Sequence, residues 1–194
     1  KDAYLFLSPM KVRLYTELAM AVALAVVLDL ISKTLPIPRM PHGGSISLHM
    51  LPIFIVAFRH GWRGGCMAGG MYGMINFMMA PHIIHPIQIP LDYPMAFGLV
   101  GLAGWGPLQM GAERAGGVLG ARIRLAAGVL VGNGLRFLAH FSSGVIFWAQ
   151  NAPAGEPVWL YSLLYNSSYM IPETIINMLL LQLVLSRLLF RTGV

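Results

Sequence analysis

The chain has 194 residues, of which 57% are hydrophobic and only 10% charged. Soluble domains carry about 25% charged residues, and twenty charged side chains cannot solvate a body of this size, so lipid must cover most of the surface. The net charge of +6 would suit nucleic acid only if basic residues clustered on a soluble face, which this composition does not provide; no nucleic-acid partner is expected.

A spanning helix needs roughly 20 apolar residues. With short loops the chain therefore holds six spans and no separate catalytic or nucleotide-binding domain. The expected fold is all-α: a polytopic membrane protein of six transmembrane helices, forming one substrate-binding domain over residues 1–194 and embedded in the lipid bilayer.

The first span is placed at 12–32. Its apolar run, Leu14 to Ile31, lacks a small-residue cleavage site and is long enough to cross, so it is read as a span and not as a signal peptide. Within it Ala19 and Ala23, overlapped by Ala21 and Ala25, form small-xxx-small pairs, which allow close helix contact in lipid. They serve either packing inside the bundle or docking to another membrane subunit. "SKTLPIPRMPHGG" follows, a loop by its three prolines and two glycines. The second span, 46–60, is short, and the third, 62–80, contains the single cysteine, Cys66, read as a packing residue. The loop "APHIIHPIQIP" carries His82 and His85, a spacing that could serve a metal; without cysteines or further spaced carboxylates no metal is expected.

The fourth span, 92–110, opens on Asp92 and Tyr93. Pro94 suits a helix start, and Asp92 is either a helix-terminal charge or an anionic anchor at the outer mouth. After the basic connector "GAERAGGVLGARIR", the fifth span, 123–149, holds Arg136, His140, Ser143 and Phe147 on one helical stripe, with Trp148 beside it. A charge this deep is a functional candidate; the alternatives for Arg136 are snorkelling or an ion pair with Asp92 or Glu173. The segment "NAPAGEP" ends that span. In the sixth, 159–189, Asn166, Tyr169, Glu173 and Asn177 share one face, preceded by Tyr161 and Tyr165. So polar a face must meet the bundle interior or a wet cavity.

With the N-terminus placed in the cytoplasm, cytoplasmic ends and loops hold Lys1, Lys11, Arg13, Arg59, Arg63, Arg114, Arg122, Arg124, Arg187 and Arg191, and outer loops only Lys33 and Arg39. This positive-inside bias predicts cytoplasmic termini and outward loops at 33–45, 81–91 and 150–158. The outer half would then gather a carboxylate, aromatics, a histidine and an asparagine. Aromatic faces attract a quaternary cation, and a carboxylate accepts hydrogen bonds from an amino-heterocycle; the set suits a flat, cationic, nitrogen-rich ligand.

Three segments, "GGSISLHMLPIFIVAFRHGWRGG", "HPIQIPLDYPMAF" and "FLAHFSSGVIFWAQNAP…WLYSLLYN", resemble the thiamine-specific S component of energy-coupling factor (ECF) transporters, over nearly the whole chain. The resemblance implies a six-helix S-component fold in the plasma membrane and high-affinity thiamine binding near the outer surface. It implies no enzymatic activity, and no cofactor beyond the ligand. Partners would be a transmembrane coupling subunit and two cytoplasmic ATPases. It also implies that Trp148 stacks on the ligand with His140 beside it, that Tyr161 and Asn166 complete the wall, that Asp92 and Tyr93 form a carboxylate–tyrosine pair, that Arg136 lies deeper, and that Ala19 and Ala23 form the docking motif. The chain departs from the family pattern in having Asp92 where a glutamate is expected, and in a first outer loop, 33–45, without Phe, Tyr or Trp. An S component for another vitamin, or a stand-alone facilitator or metal-uptake protein using His82 and His85, are the competing readings.

Overall fold

The computed structural model describes residues 9–36, 40–106 and 117–191. Lys1, Arg39 and Arg114, used above for orientation, lie outside the described residues. Every helix or longer regular element among the described residues is helical. Helix α1 runs Pro9–Thr34, slightly longer than the predicted span at both ends.

The second and third predicted spans form one assigned helical stretch, Met50–Met79, broken at Gly61. Gly61 has φ 77° and ψ 179°, a conformation that L side chains rarely adopt. In a continuous helix residues 57 and 65 would stand ~12 Å apart, yet a Cβ placed on Gly65 would lie 2.6 Å from the Ala57 Cβ. The chain therefore reverses at Gly61, giving α2 (50–60) and α3 (62–79) as a tight hairpin. Helix α2 is shorter than the predicted 46–60, because residues 44–49 are irregular and enter the bundle.

Helix α4 occupies 88–104 and starts one turn before the predicted 92: Gln88–Pro90 is already helical. A π-turn at Leu91–Met95 follows, then Ala96–Leu99 and a 3-10 segment, Val100–Gly104. Pro94 lacks an N–H and would crowd the carbonyl one turn back, and the wider π-turn accommodates it. Helix α4 lies close on α3 because glycine lines the contact; a Cβ on Gly73 would come within 2.6 Å of the Tyr93 carbonyl oxygen. Helices α5 (Gly117–Phe147) and α6 (Val158–Arg191) complete the bundle. Counting the hairpin as two, the described residues form six helical segments, roughly the predicted number.

Helices α1 and α5 are long and apolar enough to cross a membrane, with mean hydropathy 2.0 and 1.3. The distribution of polarity is that of a protein in lipid. Large apolar residues such as Met20, Met78, Leu130, Ile146 and Leu164 are exposed, whereas Asp29, Asn133, Arg136, Glu173 and Asn177 are buried. An apolar core of Leu18, Val22, Phe54, Phe58, Val100 and Val129 joins α1, α2, α4 and α5.

Candidate binding site

At one end of the bundle the helices diverge around a cavity of about 420 Å³. Its wall includes Asp29 and Lys33 of α1, Gly44 and His49 of the first loop, Gln88, Asp92, Tyr93 and Phe97 of α4, Arg136, His140 and Trp148 at α5, and Tyr161, Asn166 and Tyr169 of α6. All seven residues predicted as substrate-binding thus line one space. At the other end of α1, Glu17 gathers Arg13 at 2.9 Å, Arg59 at 2.8 Å and His60 at 2.6 Å. Glu17 and Lys33 are ~24 Å apart along the helix, so the cavity and this basic cluster occupy opposite ends.

Helix α5 supplies the predicted stripe. Arg136 and Ser143 are buried and His140 nearly so, and Phe147 stacks on His85 of the 81–87 loop, centroids 5.5 Å apart. Trp148 follows the last turn of α5, its N–H donating to the Gly144 carbonyl at 3.2 Å, and is half-buried at the wall. From α6, Tyr161, Tyr165 and Tyr169 stand one turn apart with ring centroids about 6 Å apart (6.0 and 5.9 Å). Asn166, buried between them, accepts from the Tyr169 hydroxyl at 2.9 Å and donates to the Ser162 carbonyl at 2.9 Å.

Three carboxylates approach the cavity, and they differ in their partners. Asp29 is paired with Lys33 at 2.6 Å. Glu173 is paired with Arg136 at 3.0 Å, just below the wall. Asp92 receives hydrogen bonds from Gln88 at 2.8 Å and Ser143 at 2.7 Å and lies 3.3 Å from His140 Nδ1; among the described residues it has no Lys or Arg partner. Its contacts are all with side chains, and it sits one turn inside α4, so helix capping does not account for it. The Arg136 guanidinium also lies over the Phe97 ring at 4.9 Å. Tyr93 keeps its hydroxyl for the 81–87 loop, accepting the His82 N–H at 2.8 Å.

Several wall residues were not singled out from sequence. Asp29 and Lys33 could have been found, as a carboxylate inside an apolar run with a cation four residues on. His49 and Gln88 lie in irregular or proline-rich stretches that carry no periodic signal. Tyr165 reaches across to the first loop, its hydroxyl donating to the Pro41 carbonyl and accepting the Gly44 N–H at 3.2 Å. The loop that lacks Phe, Tyr and Trp is thus pinned by a tyrosine from α6.

Residues 15–190 match the family described as thiamine transporter protein (Thia_YuaJ). The chain belongs to this family. It is 38% identical over 162 residues to the thiamine transporter ThiT of Bacillus subtilis, covering 82% of this chain and 83% of that one. It is 29% identical over 176 residues to ThiT of Lacticaseibacillus paracasei, covering 88% and 85%. A solved structure of ThiT from Listeria monocytogenes superposes with a TM-score of 0.78 at 23% identity, covering 92% of this chain and 96% of that one, which identifies the same fold. The family member described here is accordingly a membrane transport protein and not an enzyme.

Proposed function

We propose that the chain is the thiamine-binding S component of an ECF-type uptake transporter, with the cavity as its ligand site. One observation carries the ligand: the pairing of Asp29 and Glu173 with basic residues leaves Asp92, among the described residues, as the cavity carboxylate without a Lys or Arg partner. Thiamine is a monocation with two flat heterocycles. Asp92 offsets that single charge, Trp148 and the Tyr161 ring offer aromatic faces, His140 and Asn166 offer hydrogen bonds, and Arg136 braces the floor. Membership of the thiamine transporter family and the likeness to ThiT proteins support the same ligand. Titrating the purified chain with thiamine while following tryptophan fluorescence tests it; saturable quenching is expected, and its absence refutes the assignment.

The cavity opens outward in this reading, with both termini cytoplasmic in the plasma membrane, because the Arg13–Arg59–His60 cluster marks the opposite end. The chain captures thiamine, and a separate transmembrane coupling subunit with two cytoplasmic ATPases drives its release inside. Ala19 and Ala23 are exposed on α1, whereas Ala25 is buried against the bundle. The exposed pair is the surface for the coupling subunit, since small residues permit close helix approach in lipid.

A further inference from the structure

Gln88 is 1% exposed, at the start of α4, and every part of its amide is used. Its Nε2 donates to the Asp92 Oδ2 at 2.8 Å and to the His82 carbonyl at 3.0 Å, and its Oε1 accepts the Ile84 N–H at 2.9 Å. The partners fix which end of the amide is which: a carboxylate and a carbonyl need a donor, and a backbone N–H needs an acceptor. Asp92 Oδ2 also accepts from Ser143 at 2.7 Å, so that oxygen is held from two sides, while among the described residues Oδ1 has His140 alone, at 3.3 Å. One carboxylate oxygen is thus fixed by two donors, and the other rests beside His140, which also lines the cavity.

We propose that Gln88 is the positioning residue for Asp92, holding Oδ2 so that Oδ1, beside His140, is presented to the ligand, and fastening the 81–87 loop to that carboxylate. The inference rests on the reading of Asp92 as the anchor for a cationic ligand. It follows from the shortness of aspartate: the carboxylate cannot reach far and its direction must be set by neighbours. Gln88 and Ser143 set it from α4 and α5, and Gln88 alone of the two also grips the loop backbone.

A double-mutant cycle separates aiming from plain loop anchoring. Thiamine affinity is measured by fluorescence titration for the wild type, Gln88→Leu, Asp92→Ala and the double variant, with thermal melts of each. Gln88→Leu should weaken binding by about tenfold, in line with loss of a hydrogen bond to a charged group. In the Asp92→Ala background the same change should alter affinity less than about twofold, because the group that Gln88 directs is gone. Equal losses in both backgrounds, or no loss in either, overturn the proposal. Where the leucine variant does not fold, Gln88→Glu replaces it. It keeps an acceptor for Ile84 but sets a carboxylate against Asp92, so it should weaken binding strongly, and Asp92→Ala should remove that penalty; an unchanged penalty overturns the proposal. If Asp92→Ala alone binds thiamine like the wild type, the anchor reading itself has failed, an outcome distinct from additivity.

Discussion

Arg136 and Glu173 are locked together at the floor of the cavity: one guanidinium nitrogen, Nη1, lies 3.0 and 3.1 Å from the two carboxylate oxygens, and both side chains are almost wholly buried. His49 Nε2 stands 3.8 Å from the same carboxylate. The pair ties α5 to α6 directly beneath His140 and Asp92. Removing one partner of a buried pair costs about 3–5 kcal/mol, whereas replacing both by apolar residues is often neutral. Arg136→Met should therefore lower the melting temperature sharply, and Arg136→Met with Glu173→Leu should recover most of it. A double variant that melts as low as the single one would show that the pair acts through something other than its charges.

Trp148→Ala should weaken thiamine binding by about 1–3 kcal/mol, the range for a flat base stacked on an aromatic side chain. Trp148 sits at the end of α5, beyond the buried stripe, so the melting temperature should change little. Titration followed by calorimetry is the suitable measurement, since the substitution removes a fluorophore. Unchanged affinity would remove Trp148 from the site.

Asp92→Asn keeps the shape of the side chain and removes its charge. The asparagine oxygen can still accept from Gln88 and Ser143, leaving its amide nitrogen where Oδ1 was, beside His140. The loss should be about 1.5–3 kcal/mol, as for a hydrogen bond to a charged group, with folding preserved. Equal affinity in the two proteins would exclude Asp92 as the anchor.

The stripes of α5 and α6 were legible because helical spacing is a local property: Arg136, His140 and Ser143, and Asn166, Tyr169, Glu173 and Asn177, fell inside as the 3.6-residue period requires. The start of α4 was misplaced by one turn because the prolines around Gln88 read as a loop, and a π-turn leaves no sequence period. Gln88's role was hidden for the same reason. Tyr165's was hidden because its partners lie more than a hundred residues away in sequence. The Gly61 hairpin was half legible: two spans were placed on either side of it, but their end-to-end join depends on one glycine torsion.

Tyr165→Phe should shorten the residence time of thiamine. The hydroxyl holds the first loop at Pro41 and Gly44, and the ring remains in the variant to pack as before. Two neutral hydrogen bonds contribute about 1–3 kcal/mol together, and the effect should appear in the dissociation rate, measured by stopped-flow fluorescence, with the association rate unchanged or faster. Gly44→Ala should act in the same direction, because its Cβ would meet the Tyr169 ring at 2.8 Å. An unchanged dissociation rate in both variants would mean that the loop is held by other contacts.

The proposed S-component arrangement places binding and energy coupling in different subunits. If the ATPases reside in other subunits, the purified chain in proteoliposomes should bind thiamine and not accumulate it, and addition of the coupling subunit and both ATPases should restore concentrative uptake. The proposed docking surface is tested by substitution on α1. Ala19 and Ala23 are exposed along one side of the helix. A bulky residue there leaves the fold and the cavity untouched but blocks close approach of a second helix, on which association in lipid depends. Ala19→Trp and Ala23→Trp should abolish co-purification with the coupling subunit and uptake, while thiamine affinity stays at the wild-type value. Variants that still assemble would place the interface on another helix. Accumulation of thiamine against a gradient by the chain alone would contradict the S-component assignment and make it a secondary transporter, since no ATP-driven partner would then be needed.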